Sequence, residues 1–168
     1  MKHLFLILVV ISLTGFGQTA GDYYNRGVEK GKQKDYKGAI DNYNKSIELG
    51  PHPSSYLNRG GAKLILKDYT GAINDLNISI ELNLILKENS SNAYFLRGQA
   101  KFSLSDYRGA INDLSISIKL NSLDGSAFFL RANAKYMLDD KEGACLDFSK
   151  AGELGFSDAY TYIQKYCQ

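Results

Sequence analysis

One short phrase returns four times along the chain, as Asp35-Tyr36-Lys37-Gly38-Ala39-Ile40, Asp68-Tyr69-Thr70-Gly71-Ala72-Ile73, Asp106-Tyr107-Arg108-Gly109-Ala110-Ile111 and Asp140-Lys141-Glu142-Gly143-Ala144-Cys145. Its alanines lie 33, 38 and 34 residues apart, a period that belongs to stacked helix pairs. Twelve residues before each alanine stands a small residue, Gly27, Gly60, Gly98 or Ala132, and one turn earlier an aromatic, Tyr23, Tyr56, Tyr94 or Phe128. After the alanine, Ala39, Tyr43, Ser46 and Ile47 stand at i, i+4, i+7 and i+8, as do Ala72, Leu76, Ser79 and Ile80, and Ala110, Leu114, Ser117 and Ile118. The fourth copy reads Ala144, Phe148, Ala151 and Gly152. Each unit therefore predicts two helices with one apolar face apiece, the small residue letting them approach closely.

Composition narrows the function. The 168 residues hold twenty Lys plus Arg against eighteen Asp plus Glu, for a net charge of +2, too balanced for nucleic-acid binding to be read from charge. There are two histidines, His3 and His52, two cysteines and no tryptophan. The commonest general base and metal ligand is nearly absent. No G-x-S-x-G, Walker loop, HExxH or His cluster occurs, so no enzyme, metal site or cofactor is expected. Gly15-Phe16-Gly17-Gln18-Thr19-Ala20 imitates a dinucleotide turn, but helical repeats follow it instead of a βαβ unit.

Residues 1–17 read as a signal peptide. Met1-Lys2-His3 is a basic start, Leu4 to Leu13 is apolar apart from Ser12, and Gly15 and Gly17 fill the small positions before a cleavage point at Gln18. The apolar run is about half of the roughly 20 residues that span a bilayer, so no stable transmembrane anchor is expected. The chain is accordingly expected to be exported, to the periplasm or outside the cell.

The aromatic, small, Tyr, Ala, aromatic, small and Pro positions of the first copy, Tyr23, Gly27, Tyr36, Ala39, Tyr43, Ser46 and Pro51, resemble the tetratricopeptide repeat (TPR). The resemblance covers roughly residues 20–156 and is weakest in the fourth copy, where Lys141 replaces the Tyr. It implies an all-α right-handed superhelix of four antiparallel helix pairs with a concave groove for a protein or peptide. Repeats fall at about 20–52, 53–90, 91–124 and 125–156 within a domain of residues 18–168. First helices are placed at 20–33, 53–66, 91–104 and 125–138, and second helices at 36–49, 69–82, 107–120 and 141–154. The long second spacing, with Leu84-Ile85-Leu86 running on from Leu82, predicts a lengthened helix that turns at Glu88-Asn89-Ser90. A capping helix at about 157–167, with Ala159, Tyr160, Ile163 and Tyr166 on one stripe, is expected to close the last hairpin.

Against the family pattern, every first helix carries two cations four apart: Arg26 and Lys30, Arg59 and Lys63, Arg97 and Lys101, Arg131 and Lys135. Like charges at that spacing repel. Either they form a basic stripe for an anionic ligand, or they pair with Asp75, Asp113 and Asp147, with Asn42 or Asp41 in the first copy. The acids recur in step with the arginines, which favours an internal ladder, within each repeat, of Arg59–Asp75, Arg97–Asp113 and Arg131–Asp147. Cys145 and Cys167 either stay as small buried thiols or form a disulfide that ties the cap to the last hairpin.

In the TPR family the groove is lined by first helices, and the resemblance maps Leu57, Gly61, Leu64, Phe95, Gln99, Phe102, Phe129, Asn133 and Tyr136 onto it. They suit an apolar or aromatic segment, with the amides of Gln99 and Asn133 free for its backbone; Phe95 and Phe129 could equally belong to the core. The family's clamp for a C-terminal carboxylate needs a Lys and an Asn at slots that hold Tyr24, Leu57, Phe95 and Phe129, and Val28, Gly61, Gln99 and Asn133. Only Asn133 matches, so that ligand is not expected. The resulting expectation is a non-catalytic protein- or peptide-binding scaffold of the cell envelope, the alternative being an exported binder of a lipid or other apolar small molecule.

Overall fold

The computed structural model describes residues 18–167; the signal-peptide expectation concerns residues outside that span. Among the described residues there are nine helices and no strand: α1 (Ala20–Lys32), α2 (Tyr36–Leu49), α3 (Pro53–Ile65), α4 (Tyr69–Leu86), α5 (Ser91–Ser103), α6 (Tyr107–Leu120), α7 (Gly125–Met137), α8 (Lys141–Glu153) and α9 (Asp158–Tyr166). Each packs chiefly on its neighbours in sequence, so four antiparallel hairpins stack in order and α9 closes the row. The extra residues between the second and third repeats lengthen α4 by about a turn, and Lys87, in the left-handed region, ends it.

The repeated phrase builds the turn inside each hairpin. Helix α1 ends with the Asp35 N–H on the Lys30 carbonyl and the Lys34 N–H on the Gly31 carbonyl, and α3, α5 and α7 end in the same way. That closure needs a left-handed residue, supplied by Lys34, Lys67, Ser105 and Asp139. The next residue is the aspartate, which caps the second helix by accepting from the N–H of Gly38, Gly71, Gly109 or Gly143. The glycine leaves room for this, since a Cβ on Gly71 would overlap the Asp68 carboxylate. Two helix ends are thereby satisfied within three residues. The N–H bond holds the Asp35 carboxyl below the ordinary carboxylate range, with help from Lys30.

Small residues on the first helices set the spacing within hairpins. A Cβ on Gly60 would lie 3.0 Å from Leu76 Cγ, and one on Gly98 would lie 2.9 Å from Leu114 Cγ. The second-helix alanines, Ala39, Ala72, Ala110 and Ala144, are completely buried, as are Leu76 and Leu114. Serines that follow them fasten helices by polar bonds: Ser79 Oγ donates to the Pro53 carbonyl and Ser117 Oγ to the Ser91 carbonyl, both at 3.0 Å.

At the C-terminal end, α9 lays Ala159, Tyr162, Ile163 and Cys167 on the last hairpin. Tyr160 stays exposed, its ring lying at the edge beside Gly152, so the stripe read from sequence shifts: Ala159, Tyr162, Ile163 and Tyr166, at i, i+3, i+4 and i+7, form the inward face. Cys145 and Cys167 form a disulfide with a Cα–Cα distance of 5.7 Å, joining α8 to the residue after α9.

Candidate functional site

The cations of the first helices are arranged as follows. Arg59 grips Asp75 with two bonds, Nε to Oδ2 at 2.9 Å and Nη2 to Oδ1 at 2.6 Å, while Lys63 Nζ lies 2.8 Å from Oδ2. Arg97 and Lys101 hold Asp113 in the same way, and Arg131 and Lys135 hold Asp147. The three carboxylates are buried. The hydrogen bonds of Asp113 push the Arg97 guanidinium further up from its ordinary range.

A third partner was missed by sequence reasoning. The remaining Nη1 reaches the second helix of the preceding hairpin, at Asn44, Asn77 and Ser115 respectively, and each guanidinium lies over the aromatic one turn earlier, Tyr56, Tyr94 or Phe128. Each arginine therefore staples a hairpin to the one before it. The signal was available, since Asn44, Asn77 and Ser115 share one repeat position. In the first hairpin Asn42 takes the acid's slot and bonds the Gly38 carbonyl, leaving Arg26 exposed on Gln18 and Lys30 on Asp35. The cation row is thus a set of interior joints, with little left to offer an anionic ligand.

The apolar positions mapped to the groove are half-buried throughout. Leu57 and Leu64 pack on the core around Leu76, and Phe95 and Phe102 on that around Leu114. Phe129 lies in an aromatic cluster, its ring 4.6 Å from Phe156, 4.9 Å from Tyr162 and 5.5 Å from Phe148, and Tyr136 stacks on Tyr166 at 4.5 Å. Asn133 donates to the Phe129 carbonyl at 2.8 Å, so its amide is partly engaged; Gln99 is half-buried on α5.

Open space lies at the other end. A cleft of about 430 Å³ runs between α1, α2 and α3, walled by Val28, Tyr36, Tyr43, Leu57 and Ile65 and reaching Leu96 of α5. Gly31 and Gly61 open it: a Cβ on Gly31 would meet nothing within 4 Å, and one on Gly61 only Leu96, at 3.7 Å. Along the repeats the Gly31 slot becomes Leu64, Phe102 and Tyr136, so the side chain there grows toward the capped end. That gradient could have been read from the sequence and was missed. Lys32 is the one charged residue on the lining. The Tyr43 phenol, pushed up to about 12 chiefly by burial, stays neutral. Asn58 Nδ2 donates to the Tyr24 hydroxyl at 3.1 Å beside it.

A second cleft of about 450 Å³ lies between the start of α1 and the α2–α3 turn, lined in part by His52. His52 Nδ1 accepts the Ser54 N–H as the cap of α3. No cluster of metal-binding side chains occurs among the described residues, and none of their helices is long and apolar enough to cross a membrane.

Hairpins of this length, closed at their small positions and lined along one side by first helices, define a helical-repeat scaffold. Residues 23–52 match the family model of the tetratricopeptide repeat. Solved structures extend the likeness: MamA is 25% identical at a TM-score of 0.76, with 86% of this chain and 79% of that one covered. The first TPR domain of human RPAP3 is 29% identical at 0.67, covering 74% and 95%. A first TPR of Spaghetti (RPAP3) bound to the HSP90 peptide SRMEEVD is 27% identical at 0.69, covering 76% and 98%. The chain folds as a tetratricopeptide-repeat superhelix, a fold that typically serves as a non-catalytic scaffold for protein interaction. No curated protein matches it in sequence.

Proposed function

We propose that the chain is a non-catalytic scaffold of the cell envelope, whose first two hairpins hold an extended, largely apolar segment of a protein partner. The observation that carries this reading is the cleft opened by Gly31 and Gly61, apolar on its walls and bounded by a single cation. Leu57 lies in it, while Leu64, Phe95, Gln99 and Phe102 continue the same first-helix surface; Phe129, Asn133 and Tyr136 support it from the capped end. The carboxylate-clamp slots hold Tyr24, Leu57, Phe95 and Phe129 in place of the Lys, and Val28, Gly61, Gln99 and Asn133 in place of the Asn; Asn133 alone matches and has no companion Lys, which argues for side-chain recognition over capture of an acidic tail. Export is supported by the character of residues 1–17 and by the Cys145–Cys167 bond, a linkage that persists in oxidising compartments. N-terminal sequencing of the exported protein should begin at Gln18, and an intact Met1 in that fraction would refute export with cleavage.

The binding test separates cleft from core. Gly31→Leu and Gly61→Leu add side chains where space is open and remove one glycine from the last turn of α1 and one from within α3, so stability should hold or rise by about 0.5–1 kcal/mol. A peptide selected from a random library on the wild-type protein should bind both variants about tenfold or more weakly. Unchanged binding in both, or a library that yields no binder, would refute the reading. The cleft volume also lies within the roughly 300–1,000 Å³ of small-molecule sites. Native mass spectrometry of the purified protein carrying a bound lipid-sized mass would favour the apolar small-molecule alternative.

A further inference from the structure

A solvent-facing helix surface is polar unless something covers it, and α4 departs from that. Its inner face carries Ala72, Leu76 and Ile80, while its outer side carries exposed Ile78 and Ile85 and half-buried Leu82, at i, i+7 and i+4. The same repeat positions on α6 and in the turn after it hold Ile116, Leu120 and Leu123. Ile85 is 75% exposed and Leu123 77%. In the first and last hairpins the slot of Ile78 and Ile116 holds Lys45 and Lys150, so the whole apolar triplet occurs only on the two middle second helices, although Leu49 of α2 is exposed at the slot of Leu82 and Leu120. Two charges lie within it, at one register and of opposite sign: Glu81 on α4 and Lys119 on α6. Both are exposed, and neither belongs to an ion pair among the described residues.

We propose that this face binds a second copy of the same chain, with α4 of one protomer along α6 of its partner, and α6 along the partner's α4. Successive second helices run in the same direction, so a two-fold axis parallel to them and midway between them brings the two faces together in register. Ile78 then meets Ile116 across the interface, Ile85 meets Leu123, and Glu81 meets Lys119 twice. A two-fold axis set across the helices would instead oppose glutamate to glutamate and lysine to lysine. Every chain carries both halves of the charge pattern, which is why the occupant is a second copy and not a foreign helix.

Sedimentation equilibrium tests the arrangement. The wild-type protein should form dimers. Glu81→Lys and Lys119→Glu each set like charges together and should weaken dimerisation about tenfold or more, with helical circular dichroism unchanged because both positions are exposed. The double variant restores opposite charges and should dimerise within about threefold of wild type. Ile85→Asp should leave a folded monomer. A wild-type chain that stays monomeric at its highest soluble concentration overturns the proposal, and its co-sedimentation with phosphatidylcholine vesicles would assign the face to a lipid surface instead. Single charge variants that dimerise like wild type, or a double variant as weak as either single, also overturn it.

Discussion

Arg97 shows what a repeat-fixed residue does in a stack. Its guanidinium closes on Asp113 within its hairpin and on Asn77 of the one before, over the Tyr94 ring. A buried carboxylate left with one cation in place of two is costly, so Arg97→Ala should destabilise by about 3 kcal/mol, with coupling to Asp113 above about 1 kcal/mol in a double-mutant cycle followed by urea denaturation. Negligible coupling would show the pair to be a solvated contact. The first hairpin offers the converse experiment, because Asn42 stands where Asp75, Asp113 and Asp147 stand elsewhere. Asn42→Asp should draw in Arg26 and Lys30 and stabilise by about 0.5–1 kcal/mol, little because Arg26 is exposed, with the gain shrinking as salt is raised. A loss of stability would mean that the Asn42 bond to the Gly38 carbonyl outweighs the new pair.

At the scale of the element, the hairpin turn combines a helix end and a helix start, and its residues do not all suit it equally. Lys67 occupies the left-handed region, with φ of 64°, where glycine carries no Cβ penalty. Lys67→Gly should therefore raise the denaturation midpoint, by about 0.5–1 kcal/mol in stability. Asp68→Ala, one residue on, should lower it by about 1 kcal/mol through the lost cap of α4. These turns explain how much of the fold was legible: cap, glycine and small residue act locally and recur, so helix limits and hairpin order followed from spacing. The staple atoms on Asn44, Asn77 and Ser115 escaped because they join hairpins and not neighbours in sequence. The open cleft escaped for a related reason. Groove positions were read as equivalent in every repeat, whereas the slot of Gly31 is empty and the slot of Tyr136 is filled and roofed by Tyr166 of α9.

For the whole molecule, stability passes from hairpin to hairpin, so an end must be protected where no further repeat covers it. Helix α9 does this for α7 and α8 with only nine residues, too few to be helical alone. It is held by Tyr162 and Ile163 on the Ala132, Ala144 and Phe148 core and by the bond from Cys145 to Cys167, 22 positions apart. A loop of that length contributes about 3 kcal/mol in the chain-entropy model. Replacing both cysteines by serine should therefore lower stability by about that amount. The loss should also be local. Amide exchange should quicken first in α9, then in α7 and α8 as the aromatic cluster around Phe129 is uncovered, while α1 to α3 and peptide binding in their cleft keep wild-type behaviour. Exchange that quickens equally in all nine helices would instead mean that the stack opens as one unit, and that the disulfide secures the distant cleft as well as the cap.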